Sequence, residues 1–174
     1  MSFITAVTSK TKEQFPLSPK KPLKKTLGPA IILFILIIIP AIVVLFFIPL
    51  ATIILITLYL AIITLIYIYQ KWYMIVYFYD LTPSFIVIKK GVFTPKEISI
   101  PYERVQDIYV DQDILDRIFG LYDVHISSAT ITSGIEAHID GVEKTAADGL
   151  KNQLLKTVQE KIKKPQNQQK PAPQ

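Results

Sequence analysis

Side chains able to do chemistry are few and scattered in this 174-residue chain. Cysteine is absent, so no disulfide, thiolate metal site or thiol nucleophile exists. The two histidines, His125 and His138, stand in the strand-like runs "YDVHISS" and "GIEAHID". Alternation turns Val124, Ile126, Ala137 and Ile139 inward and both histidines outward. Two outward imidazoles on separate strands can meet as metal ligands, but lone surface histidines are far commoner, and no metal is assigned. Asp107, Asp111 and Asp113 approach the spacing of a calcium loop. They lack its glycine and terminal glutamate, so they read as turn caps. Ser127, Ser128 and Ser133 form no nucleophile elbow, and no glycine-rich phosphate loop occurs. An enzyme needs reactive groups that converge. The expectation is a protein without catalytic residues or cofactor.

The elements that would carry these residues differ sharply along the chain. From Leu27 to Tyr69 there is no charged residue. A bilayer core of about 30 Å needs about 20 apolar residues per spanning helix, and this run has room for two. Pro49 in "FIPLA" is the natural turn between helices at about Pro29–Ile48 and Leu50–Tyr69, and Pro40 should kink the first. The run is too long for a signal peptide and lacks its small-residue end. It is apolar all round, unlike a core hairpin with one wet face. A re-entrant hairpin is the competing geometry, because "IPLA" offers almost no polar loop. Thr52, Thr57 and Thr64 can bond to carbonyls one turn back. Without a charge inside the apolar run, an ion pathway has no support.

Charge sets the orientation. Before the apolar run stand Lys10, Lys12, Lys20, Lys21, Lys24 and Lys25 against Glu13, and Lys71 follows it. Positive flanks stay cytoplasmic, so both termini are expected there, with the chain multi-pass in the cell membrane. Tyr67, Tyr69, Trp72 and Tyr73 sit where aromatic rings favour the headgroup zone. The net charge of +5 resides in the leader. From Lys71 to Lys164 ten lysines and two arginines face thirteen acids, which leaves no basic patch for nucleic acid. Beside anionic lipid, a basic arm gains about 1 kcal/mol per lysine.

The remainder reads as one small domain. "WYMIVYFYDLT" and "FIVIKKG" are strand-like, and Gly91 to Pro95 makes a hairpin turn into "KEISIPYERVQDIYV". Pro101 fits only an edge or a bulge. In "DILDRIFG", Asp113 and Asp116 have capping-box spacing, Gly120 is the stop, and Ile114, Leu115, Ile118 and Phe119 give an apolar face. A long helix closes the domain. Ala146, Ala147, Leu150, Leu154, Val158 and Ile162 form its stripe, Asp140 is the expected N-cap, and Gly149 weakens it by about 1 kcal/mol. The expected divisions are a largely disordered basic cytoplasmic leader (1–26), a two-helix transmembrane hairpin (27–70), a cytoplasmic domain (71–164) and a disordered tail (165–174). The expected fold is therefore a membrane α-hairpin plus an α+β domain, a curled antiparallel sheet or open barrel capped by a C-terminal helix.

An ordered set of motifs after the apolar hairpin carries a family resemblance. It runs through Tyr79-Asp80-Leu81-Thr82, Ile88-Lys89-Lys90-Gly91-Val92-Phe93 and Ile100-Pro101-Tyr102-Glu103-Arg104-Val105-Gln106-Asp107-Ile108. Gln112 and Leu115-Asp116-Arg117-Ile118-Phe119-Gly120-Leu121 complete it. With these, about Leu27 to Lys161 resembles the membrane-flanked bacterial pleckstrin-homology (PH) domain proteins, YdbS-like. Two departures stand out: Phe85 replaces a frequent basic residue, and "SSAT" replaces Thr-Ala-Gly at Ser127–Ala129. The resemblance implies a PH-like fold, with Arg104, Arg117, Phe119 and Gly120 as fold-motif residues. Arg117 would brace carbonyls or a neighbouring acid.

A binding or scaffolding module follows: a PH-like domain held at the cytoplasmic membrane face, engaging a protein partner or a second copy. Anionic headgroups would be met through Lys71, Lys89, Lys90 and Lys96, although lysines on an edge strand also serve solubility alone. The alternative is an accessory subunit of a larger membrane enzyme or transporter complex.

Overall fold

A computed structural model describes residues 9–128 and 137–168. The described chain divides into two units. One comprises Pro19–Ile75, and the other joins the residues up to Ser18 with those from Val76 onward.

The first unit is a helical hairpin. Helix α2 (Lys21–Phe47) follows the short leader helix α1 (Lys10–Gln14), and α3 (Pro49–Val76) follows α2. One residue, Ile48, separates α2 from α3. Pro49 takes the first position of α3, where a missing N–H costs nothing because no partner exists there. Pro29 and Pro40 both lie within α2. The Tyr59 hydroxyl donates to the Ala30 carbonyl at 3.2 Å and ties the two helices. Thr57 and Thr64 bond to the carbonyls of Ile53 and Leu60 at 2.9 and 2.8 Å. Little of α2 or α3 is buried against the rest of the chain. Both are long and apolar enough to cross a membrane.

The hairpin is longer than the sequence reading gave. α2 starts at Lys21 rather than near Pro29, and α3 runs to Val76 through "KWYMIV", read above as strand. The reason is continuity: no glycine or proline interrupts this stretch, and a helix already about six turns long propagates readily.

The second unit holds two three-stranded antiparallel sheets. Strands β1 (Phe78–Leu81), β2 (Phe85–Lys90) and β3 (Lys96–Pro101) pair in order β1-β2-β3. A 3-10 turn at Tyr102–Arg104 leads into β4 (Val105–Asp111). Helix α4 (Ile114–Phe119), β5 (Leu121–Ser128) and β6 (Ala137–Glu143) follow, and β4-β5-β6 form the second sheet. The sheets stay open and close no barrel. Pro101 ends β3, an edge strand, as a residue without an N–H should. The Asp113–Asp116 capping box forms with both reciprocal bonds, and Gly120 closes α4 in the left-handed region at φ 68°.

Helix α5 (Lys144–Gln168) packs on β4, β5, β6 and the 3-10 turn. Its stripe of Ala147, Leu150, Leu154 and Val158 is buried with Ile86, Ile88, Ile100, Tyr102, Val124, Ile126 and Ile139, while Ile162 is exposed. Two expectations change. Asp140 does not cap the helix but lies buried within β6, because the strand continues to Glu143. The helix also continues past residue 164 to Gln168, into the segment expected to be disordered. The rest of that tail, 169–174, lies outside the described residues, as do Ala129 and Ser133.

The largest correction concerns the leader. Residues 9–18 are not a loose basic arm but part of the sheet-and-helix unit, with Ser9, Thr11, Phe15, Leu17 and Ser18 buried. Lys21 and Lys24, at the start of α2, are buried too. Apolar Phe15 and Leu17 have a surface to cover, and that outweighs the solvation of the lysines around them.

Candidate functional site

Two polar centres and one basic hairpin hold some of the side chains singled out by the sequence, together with several that were not.

The first centre is the clasp between leader and domain. Asp80 sits on β1, and its Oδ1 accepts from the Thr11 hydroxyl at 2.7 Å, the Ser9 hydroxyl at 3.0 Å and the Thr11 amide at 3.3 Å. The Thr11 oxygen in turn accepts from the Leu81 amide at 3.0 Å. Ser9 caps α1 by accepting from the Lys12 amide at 2.9 Å, and it also bonds the Tyr79 carbonyl. Burial pushes the Asp80 carboxyl up, but hydrogen bonds from Thr11, Ser9 and the Leu81 amide prevail and hold it below the usual carboxylate range. The Lys12 ammonium reaches the Tyr77 carbonyl, and burial lowers its pKa. Tyr79 donates to the Phe15 carbonyl, and burial raises its phenol strongly. The Tyr102 phenol is pushed up to about 12, first by burial and then by the charge of Asp80.

Beyond α1 the leader becomes extended. Phe15 and Leu17 are buried while Pro16 between them is exposed, the alternation of a strand lying on a surface. Leu17 bridges Val142 in antiparallel sense, and the Ser18 amide donates to the Gly141 carbonyl at 2.8 Å. Between Tyr122 and Val124 the β5–β6 register shifts, and Gly141 takes φ 75° there. Such a bulge frees a backbone group from the ladder. Here the Gly141 amide turns to the Asp123 carboxylate at 2.8 Å while its carbonyl receives Ser18. The Phe15 ring lies so close to Gly149 that an added Cβ would fall within 3.0 Å of it.

The second centre lies on the β4-β5-β6 sheet. His125 and His138 are cross-strand partners, and their rings stack at 5.5 Å and 25°. Tyr109 stacks on His125 at 4.8 Å and 1°. His125 Nε2 lies 3.1 Å from Asp111 Oδ1. One ligand-capable atom from each of Asp111, Asp123 and His125 falls within 4.8 Å of the others. The two histidines do meet across the sheet, but face to face, a geometry that does not aim both rings at one ion. Asp123 is already engaged by Gly141.

The third feature is the β2–β3 hairpin. Lys90 and Lys96 are its last register pair, and Lys89 faces Glu97. Strand alternation puts Lys89 on the opposite face from Lys90. Lys89 Nζ lies 3.1 Å from a Glu97 carboxylate oxygen and 5.9 Å from the Phe78 ring centre. Phe93 in the turn is 77% exposed. The hairpin thus brings Lys90 and Lys96 together and pairs Lys89 elsewhere. Lys71 lies in α3, in the other unit, with its ammonium 5.9 Å from the Tyr67 ring. Arg104 and Arg117 are exposed, Phe119 is half-buried, and the Arg117 amide donates to the Asp113 carbonyl at 3.1 Å.

The clasp residues Ser9, Thr11, Phe15 and Leu17 went unread in the sequence, while Asp80 was read only as part of a family motif and Gly149 only as a weak point of the helix. Two signals were present: an apolar Phe-Pro-Leu inside a lysine-rich leader, and a glycine in a helix interior, which often marks a close approach.

Comparison with known proteins places these elements. A family model described as a bacterial PH domain matches residues 29–158, from the start of the apolar hairpin through most of α5. No curated protein and no solved structure matches the chain significantly. On the family match, two long apolar helices leading into open antiparallel sheets capped by a C-terminal helix find their place: the chain belongs to the bacterial PH-domain family.

Proposed function

We propose that this protein is a membrane-anchored, non-catalytic binding module. Its helical hairpin spans the cell membrane twice, both termini are cytoplasmic, and the PH-like domain engages a protein partner or a second copy at the inner face. The observation that carries this reading is the clasp. The leader before α2 and the strand after α3 belong to one folded unit, so the apolar hairpin leaves and returns to the same body. That connectivity suits an even number of crossings. The lysines flanking the hairpin favour the cytoplasmic side. A linker of one residue between Val76 and Phe78 keeps the domain at the membrane, which raises its local concentration there.

Capture from native membranes tests the module. Tagged full-length chain should retain a partner that a chain ending after α3 loses. Retention by the hairpin alone would move the function to the helices, in the manner of an accessory subunit. Protease added to sealed, right-side-out cells should leave both ends intact, and digestion would reverse the topology.

Anionic headgroups are a second contact, made by Lys90 and Lys96. Amine labelling of the full chain in nanodiscs should fall at these residues when phosphatidylglycerol replaces phosphatidylcholine. Equal labelling removes the lipid contact.

A further inference from the structure

The leader touches its domain as a ligand touches a receptor. Its contacts reach across 64 to 71 residues to β1 and 125 residues to β6. All 57 residues of the hairpin unit intervene between Ser18 and Val76. The leader also lies outside residues 29–158, the part that matches the family. What it covers has the makings of a groove. β6 is an edge strand with a bulge that presents the Gly141 carbonyl outward, and beside it α5 has a notch where Gly149 lacks a side chain. Edge strands recruit extended segments by main-chain bonding, and pockets for alternate side chains select among them. Here one main-chain bond runs from Ser18, and Phe15 and Leu17, two positions apart, are both buried, Phe15 against Gly149 and Leu17 beside Val142.

We propose that the open edge of β6 and the Gly149 notch form a peptide-docking groove, which the leader fills in cis. Its partner is an extended protein segment with an aromatic residue followed two positions later by an aliphatic one. This deepens the binding-module reading and rests on it, since it names where on the domain a protein partner sits. Pro16 has no N–H and lies two residues before Ser18, so on the side that faces β6 the leader gives up one donor and the Ser18 amide supplies the main-chain bond. The leader therefore acts as a built-in competitor. As long as it is seated, a free segment must overcome an intramolecular rival.

The probe is a labelled peptide of the leader's own residues, Ser9–Ser18, followed by fluorescence anisotropy on the full chain in detergent. Because the protein has no cysteine, Leu17→Cys with Val142→Cys gives a clean lock. The oxidised, locked chain should not bind the peptide, and reduction should raise affinity. An opened chain, Phe15→Asp with Leu17→Asp, should bind at least tenfold more tightly than the locked one. Adding Gly149→Leu to the opened chain should abolish binding, as should Phe→Ala within the peptide. Equal binding by locked and reduced chains overturns the groove, and so does an opened chain that keeps its circular dichroism yet ignores the peptide. If the opened chain unfolds, the locked and reduced pair decides alone. Loss of peptide binding while membrane capture still depends on the PH-like part defeats only the groove. Loss of both defeats the module.

Discussion

The Asp80 clasp and the His125 stack are both polar clusters on the same domain, yet they are built on opposite plans. Around Asp80 the partners come from a remote segment, and Ser9 and Thr11 are buried with it. Around His125 the partners Tyr109, Asp111 and His138 lie on neighbouring strands of one sheet, with Asp111 and Tyr109 exposed to solvent. The first joins parts of the chain that would otherwise be unconnected. The second decorates a sheet already held by its ladder. Reactive side-chain type is therefore a poor guide to structural weight here: Ser9, Thr11 and Gly149 shape the clasp, while His125 and Tyr109 decorate a sheet.

That contrast can be broken or sharpened by substitution. The largest effect belongs to Phe15. Truncation to alanine removes a buried ring and should cost about 3 kcal/mol in chemical denaturation of the full chain. A cost under about 1 kcal/mol would place the leader among surface ornaments.

Gly149→Ala comes next, and its sign is the test. Alanine should gain about 1 kcal/mol from helix propensity, but its Cβ would strike the Phe15 ring, and overpacking of this kind costs about 1–3 kcal/mol. The substitution should destabilise the natural chain and stabilise one already carrying Phe15→Ala. The same sign in both backgrounds would mean that Phe15 does not occupy the notch.

Asp80→Asn should cost about 1–2 kcal/mol at neutral pH by weakening the bonds from Ser9 and Thr11. The folded carboxyl is held below its unfolded value of about 3.9, so its contribution is complete above about pH 4 and fades as pH falls through the folded value. The natural chain should lose stability on that acid limb, and the asparagine variant should show a shallower one in melts across pH 2–5.

His125→Ala should be the mildest, about 0.5–1 kcal/mol for a lost cross-strand stack, measured in the same denaturation series. A larger cost than Phe15→Ala would invert the comparison.

Much of the fold could be read ahead because its signals are local. Forty-three uncharged positions gave the hairpin, period-two alternation gave Val124, Ile126, Ala137 and Ile139 as core, and Asp113, Asp116 and Gly120 announced α4. The clasp resisted because its logic is distant. Nothing near Ser9 says that its hydroxyl will find β1, and a lysine-rich stretch resembles a solvated arm until its two apolar residues are given a surface. Boundaries failed for a related reason. Aromatic residues after Tyr69 suit either helix or strand, and the growing helix decided. Asp140 had a capping side chain, but its strand simply ran on.

One consequence of the clasp concerns the order in which the molecule is made. The leader leaves the ribosome before the rest of its domain, yet its seat includes Val142 and Gly149, so it waits for some 130 further residues before it can settle. Synthesis at about 5–20 residues per second makes that a delay of many seconds, during which both apolar helices are made. Closing the clasp is then a late step in folding, and a chain cut short before Val142 would leave residues 9–18 without a seat.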